Sequence, residues 1–282
     1  MFKPTKLLFG TAGIPLSTPK SSTENGIGHV KKLKLDAMEL EFVNSVNISA
    51  EKAPVVKKIA EENGVVLTCH GQYFVNLNAL EKQKMYASIN RILAASRIVN
   101  AVGGWSIAYH MAFYLGKSKE ETYKVVKENV KKILEVFKRE GIKVWLRPEL
   151  TGKESQWGDL DEILRLSSEF DQVMPCIDYG HSHARYGGKK NNTYVEFAKI
   201  LEEIEKVLGR GGLDNMHIQI EGINYTEKGE RNHLNLEDKG STLNWRPILQ
   251  SWKDFNIKGV VIAESPNVEK DSILLKKTFE GL

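Results

Sequence analysis

Histidines and carboxylates gather at the ends of short apolar runs in this sequence. His70 closes "VVLTCH", His110 closes "WSIAYH", and Glu149 follows "KVWLRP". Asp178 and His181 end "VMPCIDYGH", and Glu264 ends "VVIAE". The run "MHIQIEG" begins with His217 and carries Glu221 toward its end, and His233 lies in the polar stretch beyond it. The chain has 7 histidines, and five of them (His70, His110, His181, His217 and His233) belong to this set. A chance scatter would put several on helices. Imidazoles and carboxylates converging in one place make a mixed nitrogen and oxygen ligand set. Such a set suits Zn2+, Mn2+ or Fe2+ and not a thiolate-bound structural zinc. One metal takes about three to five protein ligands. The larger set here implies two or three divalent ions, with some carboxylates bridging. A multinuclear site clamps the attacking and leaving oxygens of a displacement at phosphorus and activates a water, which points to phosphoester cleavage.

Taken singly, each residue also has a plainer reading. His110 could be a satisfied histidine inside a barrel, and Glu149 could pair with Arg147. Asp178 and His181, three apart, could share one turn and pair with each other. His217 starts its run, so its place at a carboxyl end is the weakest of the set.

These residues need a scaffold that brings many segment ends together. Eight apolar, often β-branched runs read as strands, at 6–13, 37–43, 65–71, 105–111, 143–150, 173–181, 216–222 and 260–266. Helical segments alternate with them. Residues 123–141 put Val126, Val130, Ile133, Leu134 and Phe137 on one face and stop at Gly141. Residues 194–209 repeat the design, and 49–64 offer Ser49 as an N-cap. Eight strand–helix alternations predict parallel pairing closed into a (β/α)8 TIM barrel, an α/β fold. The strands are expected to be apolar on both faces. Barrel chemistry sits at the carboxyl ends of the strands, where the histidines and acids fall. A doubly wound open sheet is the runner-up, but "FGTAGIP" (9–15) is not the Gly-rich phosphate turn it would bring.

A length of 282 residues with 41% hydrophobic composition suffices for one barrel domain over 1–282. A net charge of +4 is compatible with a nucleic-acid partner and does not require one. Two cysteines without CxxC spacing argue against a disulfide framework and for a reducing, cytoplasmic setting. The N-terminus has no signal-peptide h-region, and no apolar run approaches the ~20 residues of a membrane span.

The segments "HGQYFVNL", "YH", "PEL", "CIDYGHSHARYGG", "RNH" and "AESP" resemble, in that order, the endonuclease IV family of metal-dependent apurinic/apyrimidinic endonucleases. That family has a (β/α)8 barrel of the xylose isomerase-like superfamily. The resemblance runs from the third strand onward. It implies a trinuclear zinc site whose ligands correspond to His70, His110, Glu149, Asp178, His181, His217, His233 and Glu264. It implies damaged duplex DNA as substrate, with Tyr73 in the place of an aromatic residue near the DNA. Three features depart from the pattern. The family's Asp-x-His pair after the seventh strand finds Arg231 where the aspartate would be, with Glu230 one residue earlier. The second strand leads to "ELEFVNS", with acids and Asn44 in place of an Arg–Gln pair that probes the abasic gap. "HMAFYLG" replaces an "HPG"-like turn.

The expectation is therefore zinc-assisted phosphodiester hydrolysis 5' to abasic sites by a monomer, with manganese or iron as other candidate metals. Glu149 and Glu264 would be the catalytic carboxylates, fixing metals and orienting the attacking oxygen. Arg185, Lys189, Lys190 and Arg231 would meet phosphates, and Tyr73 and Tyr186 would stack on or wedge beside bases. The rival is a single-metal sugar isomerase or epimerase of the same superfamily, using Glu149, Asp178, His217 and Glu264. A barrel that binds without catalysing is a third reading.

Overall fold

The eight apolar runs form eight parallel strands in a computed structural model that describes residues 1–282. The strands are β1 (Leu7–Ala12), β2 (Ala37–Glu41), β3 (Val66–His70), β4 (Ser106–Tyr109), β5 (Trp145–Pro148), β6 (Cys176–Asp178), β7 (Met216–Ile220) and β8 (Gly259–Ala263). They pair in the order β5-β4-β3-β2-β1-β8-β7-β6. Parallel bridges from Leu146 to Val173 and from Glu149 to Cys176 join the two ends. The sheet is thereby closed into the expected (β/α)8 TIM barrel, with no open edge.

The crossover helices are α1 (Thr23–Lys32), α2 (Ala53–Asn63), α3 (Lys82–Ala101), α4 (Lys119–Glu140), α5 (Leu160–Ser168), α6 (Tyr194–Leu208), α7 (Trp245–Asp254) and α8 (Glu269–Glu280). Local chemistry sets their ends. Ser118 with Glu121, Asp159 with Glu162 and Thr193 with Glu196 form capping boxes at α4, α5 and α6. Gly64 and Gly141 end α2 and α4 in the left-handed region, with φ of 63° and 67°. One expected cap is displaced. Ser49 does not cap α2, which starts at Ala53 with Pro54 in its first turn. The Ser49 hydroxyl accepts from Lys52 N at 3.4 Å, in the turn before the helix.

Strand periodicity also corrects the expectation of two apolar faces. Phe9, Met38, Leu40, Leu67, Ile107, Leu146, Ile218 and Val261 belong to the main apolar core. Their alternates include Glu39, Thr68, Ser106, Arg147, His217 and Gln219, all completely buried. Successive side chains point to opposite faces, so these alternates form the barrel interior. The interior is polar, and Glu39, Ser106, Arg147, His217 and Gln219 each meet a partner within the protein. A small apolar cluster of Ala37, Trp105, Val260 and Ile262 completes the filling.

Candidate metal centre

The carboxyl ends of the strands bring most of the expected ligands together. Glu149, just after β5, is the hub. Its Oε1 lies 2.7 Å from His110 Nε2 and 3.1 Å from His181 Nδ1, and its Oε2 lies 3.2 Å from His70 Nε2. It does not pair with Arg147. That guanidinium bonds Pro175 O, Asn215 O and Asn215 Oδ1 and stacks on Trp105. Asp178, the last residue of β6, turns the chain into a short helix, Tyr179–Ala184. Its Oδ1 accepts from His181 N at 2.6 Å as the N-cap, and its Oδ2 stands 3.4 Å from His181 Nδ1. The pairing suspected from spacing is therefore present, inside the larger cluster.

The donors fall into four groups with atoms close enough to hold a metal ion. They are His70–His110–Glu149, Glu149–Asp178–His181, His181–Glu230–His233 and Glu221–His233–Glu264. Neighbouring groups share a residue, so the four make one linked array. They open onto a cavity of roughly 270 Å³ whose wall also carries Tyr73, Phe113, Lys153 and Gln156.

The imidazole orientations fit metal binding. His70 Nδ1 donates to Gly71 O at 2.8 Å, which leaves Nε2 facing the cluster. His181 Nδ1 faces Leu150 O at 3.2 Å, and His233 Nδ1 faces Glu264 O at 3.2 Å. Both rings then turn Nε2 toward each other at 3.4 Å, with Glu230 Oε2 3.5 Å from His181 Nε2. A cation among them would be held by both Nε2 atoms of the neutral rings and by the carboxylate. Electrostatics agree. Burial, with His70 opposing and Glu149 adding, holds Glu264 well above the usual carboxylate range. Burial and the neighbouring Asp178 do the same to Glu221. Burial with Glu39 beside it pushes Glu41 to about 8. Burial and crowding thus disfavour ionisation of these three carboxyls, and divalent cations bound among them would reverse that. The residues present fit the expected metals.

Glu230 resolves the missing aspartate. An antiparallel ribbon, Gly222–Thr226 with Gly229–Leu234, follows β7. Asn224 pairs with Asn232 and Tyr225 with Glu230, so Arg231 is the extra residue of a β-bulge. In a regular strand, residues three apart face opposite sides. The bulge absorbs one residue and puts Glu230 and His233 on the same side. The carboxylate is supplied one position earlier than the family pattern has it.

Several expected site residues lie elsewhere. His217 is outside all four groups. It is buried deeper, with Nε2 3.0 Å from Glu39 Oε2 and Nδ1 3.0 Å from Ser106 Oγ. Burial lowers its pKa despite Glu39. Arg185 is buried and meets no solvent-borne phosphate. Its guanidinium donates to Thr151 O, Thr151 Oγ1, Lys153 O and Gln156 O, stapling the loop that carries Lys153 and Gln156. Tyr186 is half-buried beside Lys190 and lines a separate cavity with Lys119 and Asp159. Lys189 and Arg231 are exposed, and Tyr73 is 57% exposed at the mouth. His183, without a part in the site, bonds Lys190 O and Thr242 Oγ1.

Sequence reasoning left Glu221 out of the ligand set, although it marked the residue near the end of its strand. Period-two alternation was the available signal. His217, Gln219 and Glu221 share the inward face, and only the last of them reaches the carboxyl end. Gln219 also escaped notice. Its Nε2 donates to Glu264 Oε1 at 2.7 Å and to Glu39 Oε1 at 2.9 Å, tying the site to the interior below.

Comparison with known proteins places the fold. The chain is 41% identical over 276 residues to an uncharacterised protein of Methanocaldococcus jannaschii, covering 98% of each. Among solved structures it resembles endonuclease IV from Thermus thermophilus, with a TM-score of 0.71, 16% identity and 96% and 98% coverage of the two chains. It resembles a D-tagatose 3-epimerase-like protein as well, with a TM-score of 0.71, 16% identity and 96% coverage of both chains. The 3-keto-D-glucoside 4-epimerase of E. coli follows, with a TM-score of 0.67, 15% identity and 98% and 99% coverage. At such identities the likeness concerns the fold alone. Residues 27–279 match the family described as xylose isomerase-like TIM barrel, and the chain belongs to that family.

Proposed function

We propose that this protein is a metal-dependent phosphodiesterase that cleaves DNA 5' to abasic sites, as the resemblance to endonuclease IV implies. The observation that carries the reading is the linked array, in which Glu149, His181 and His233 each belong to two ligand groups. One metal has no use for His70 and His110 at one end and for His181 and His233 at the other. Divalent cations held there would supply an activated water and neutralise charge developing on the phosphoryl oxygens.

The protein's own residues do the rest. Glu149 fixes the spacing of the first two groups through its two oxygens. Glu264, held by Gln219, lines the cavity from the opposite strand end and orients the attacking water. Lys153 offers a cation to the phosphate from the wall, on a loop stapled by Arg185. Tyr73 projects at the mouth, where an aromatic ring can wedge beside an unstacked base. Arg231 on the ribbon and Lys189 beyond the short helix offer charge to the flanking backbone. Tyr186, which lines its own cavity, belongs with Lys189 and Lys190 at this outer edge.

Sugar epimerase chemistry asks for His217 beside Glu149, Asp178 and Glu264. His217 is engaged with Glu39 instead, so that single-metal set lacks its imidazole. The test is incision of a duplex with one abasic site by protein loaded with zinc or manganese, scored against an intact duplex. Cleavage 5' to the lesion is expected. Metal-loaded protein that leaves the abasic strand whole sinks the assignment.

A further inference from the structure

We infer that Glu221 is the metal ligand of the seventh strand in this chain, and that it makes one part of the array an oxygen-rich subsite for Mn2+. The inference rests on the metal-centre reading above and concerns which cation each part of the array holds. Glu221 is completely buried, and neither of its carboxylate oxygens has a hydrogen-bond partner. A buried carboxylate of this kind is costly to leave bare. One of its oxygens lies within 4.8 Å of ligand atoms of both His233 and Glu264. It is therefore aimed into the array and away from the protein's own donors.

The neighbouring backbone is shaped to let it reach that position. A Cβ built on Gly180 would fall 1.8 Å from Glu221 Oε1. Gly180 stands between Asp178 and His181, so the glycine in "DYGH" clears the space that the Glu221 carboxylate fills. His217 cannot take the same place. It is four residues back along β7, about 13 Å at ~3.3 Å per residue, and its ring is held between Glu39 and Ser106.

Ligand chemistry then separates the parts of the array. His70–His110–Glu149 and His181–Glu230–His233 each offer two imidazoles and one carboxylate. Glu221–His233–Glu264 and Glu149–Asp178–His181 each offer two carboxylates and one imidazole. In the second, Asp178 Oδ1 already accepts from His181 N and Glu149 is engaged by His70 and His110, which leaves the Glu221 group as the oxygen-rich subsite with free donors. Imidazole-rich groups suit zinc, whereas carboxylate-rich groups suit manganese.

The measurement is metal content of the full chain, equilibrated with limiting Zn2+ and a large excess of Mn2+ because Zn2+ binds the more tightly at equal concentration, then dialysed, by elemental analysis with Mn2+ resonance spectroscopy. The native protein is expected to keep Mn2+ beside Zn2+. Glu221→Gln should lose the Mn2+, with affinity falling at least about 10–100-fold, the loss typical of removing even an outer partner, while Zn2+ stays. Glu221→His should exchange Mn2+ for Zn2+. Gly180→Ala pushes the carboxylate aside by a separate route and should match Glu221→Gln. Native protein that takes up no Mn2+, or a folded Glu221→Gln with unchanged Mn2+ and Zn2+ content, overturns the inference. If Glu221→Gln does not fold, Glu221→His and Gly180→Ala decide it on the same readout. None of these readings depends on DNA cleavage, so a failure of the nuclease assignment is seen separately.

Discussion

Two layers of the same barrel interior treat buried charge in opposite ways. In the middle layer, Glu39 faces His217 and accepts from Gln219, while Arg147 is held by Pro175, Asn215 and the Trp105 ring. At the carboxyl end, Glu221 has no partner and Glu264 and Glu41 are held above the ordinary carboxylate range. The middle layer is shut off from water, whereas the upper layer opens onto the cavity. The middle layer sets its charged groups against partners within the protein, and the upper layer leaves carboxylates that cations would match. A buried polar group that the fold has already satisfied belongs to architecture, and one that it has not marks the place where something else binds.

This contrast can be broken by substitution. The largest effect is expected from Glu149→Gln, because one carboxylate serves two ligand groups. Metal content and cleavage should fall by more than the ~10–100-fold typical of removing an outer partner. Retention of both would mean that the upper layer is not a metal array. Next comes His217→Ala in the middle layer. It removes one of the two partners of buried Glu39 and leaves Gln219 as its donor, which costs about 1–3 kcal/mol of stability. Denaturant unfolding should record that loss while metal content per folded chain stays as in the native protein. Loss of metal with little change in stability would move His217 back into the site. The smallest effect is expected from Arg231→Ala and Lys189→Ala on the rim. Each should lower the salt dependence of DNA binding by about one unit of slope and weaken binding uniformly across sequences. An unchanged slope would remove these residues from the DNA path.

Much of the site was legible in advance because metal ligands are rare residue types at recurring places. His70, His110, Glu149, Asp178, His181, His233 and Glu264 all reach the linked groups. His217 entered the ligand set through the family resemblance, although its place at the start of its run already made it the weakest member. Arg185 was misjudged for a different reason: its position in a basic loop said nothing of the four acceptors waiting for it in the loop after β5.

The sequence by itself determined the fold class, because alternating strand and helix periodicities admit few closed solutions and the capping residues mark where helices start and stop. It determined as well that imidazoles and carboxylates would converge, since barrel strands run parallel and end on one face. Only the tertiary structure decided which of them meet. Barrel closure set where each strand ends, and so put Glu221 and not His217 at the carboxyl end. The bulge at Arg231 turned Glu230 to the side of His233. Both outcomes depend on pairing between segments distant in the chain, and a local pattern of residues carries no record of that register.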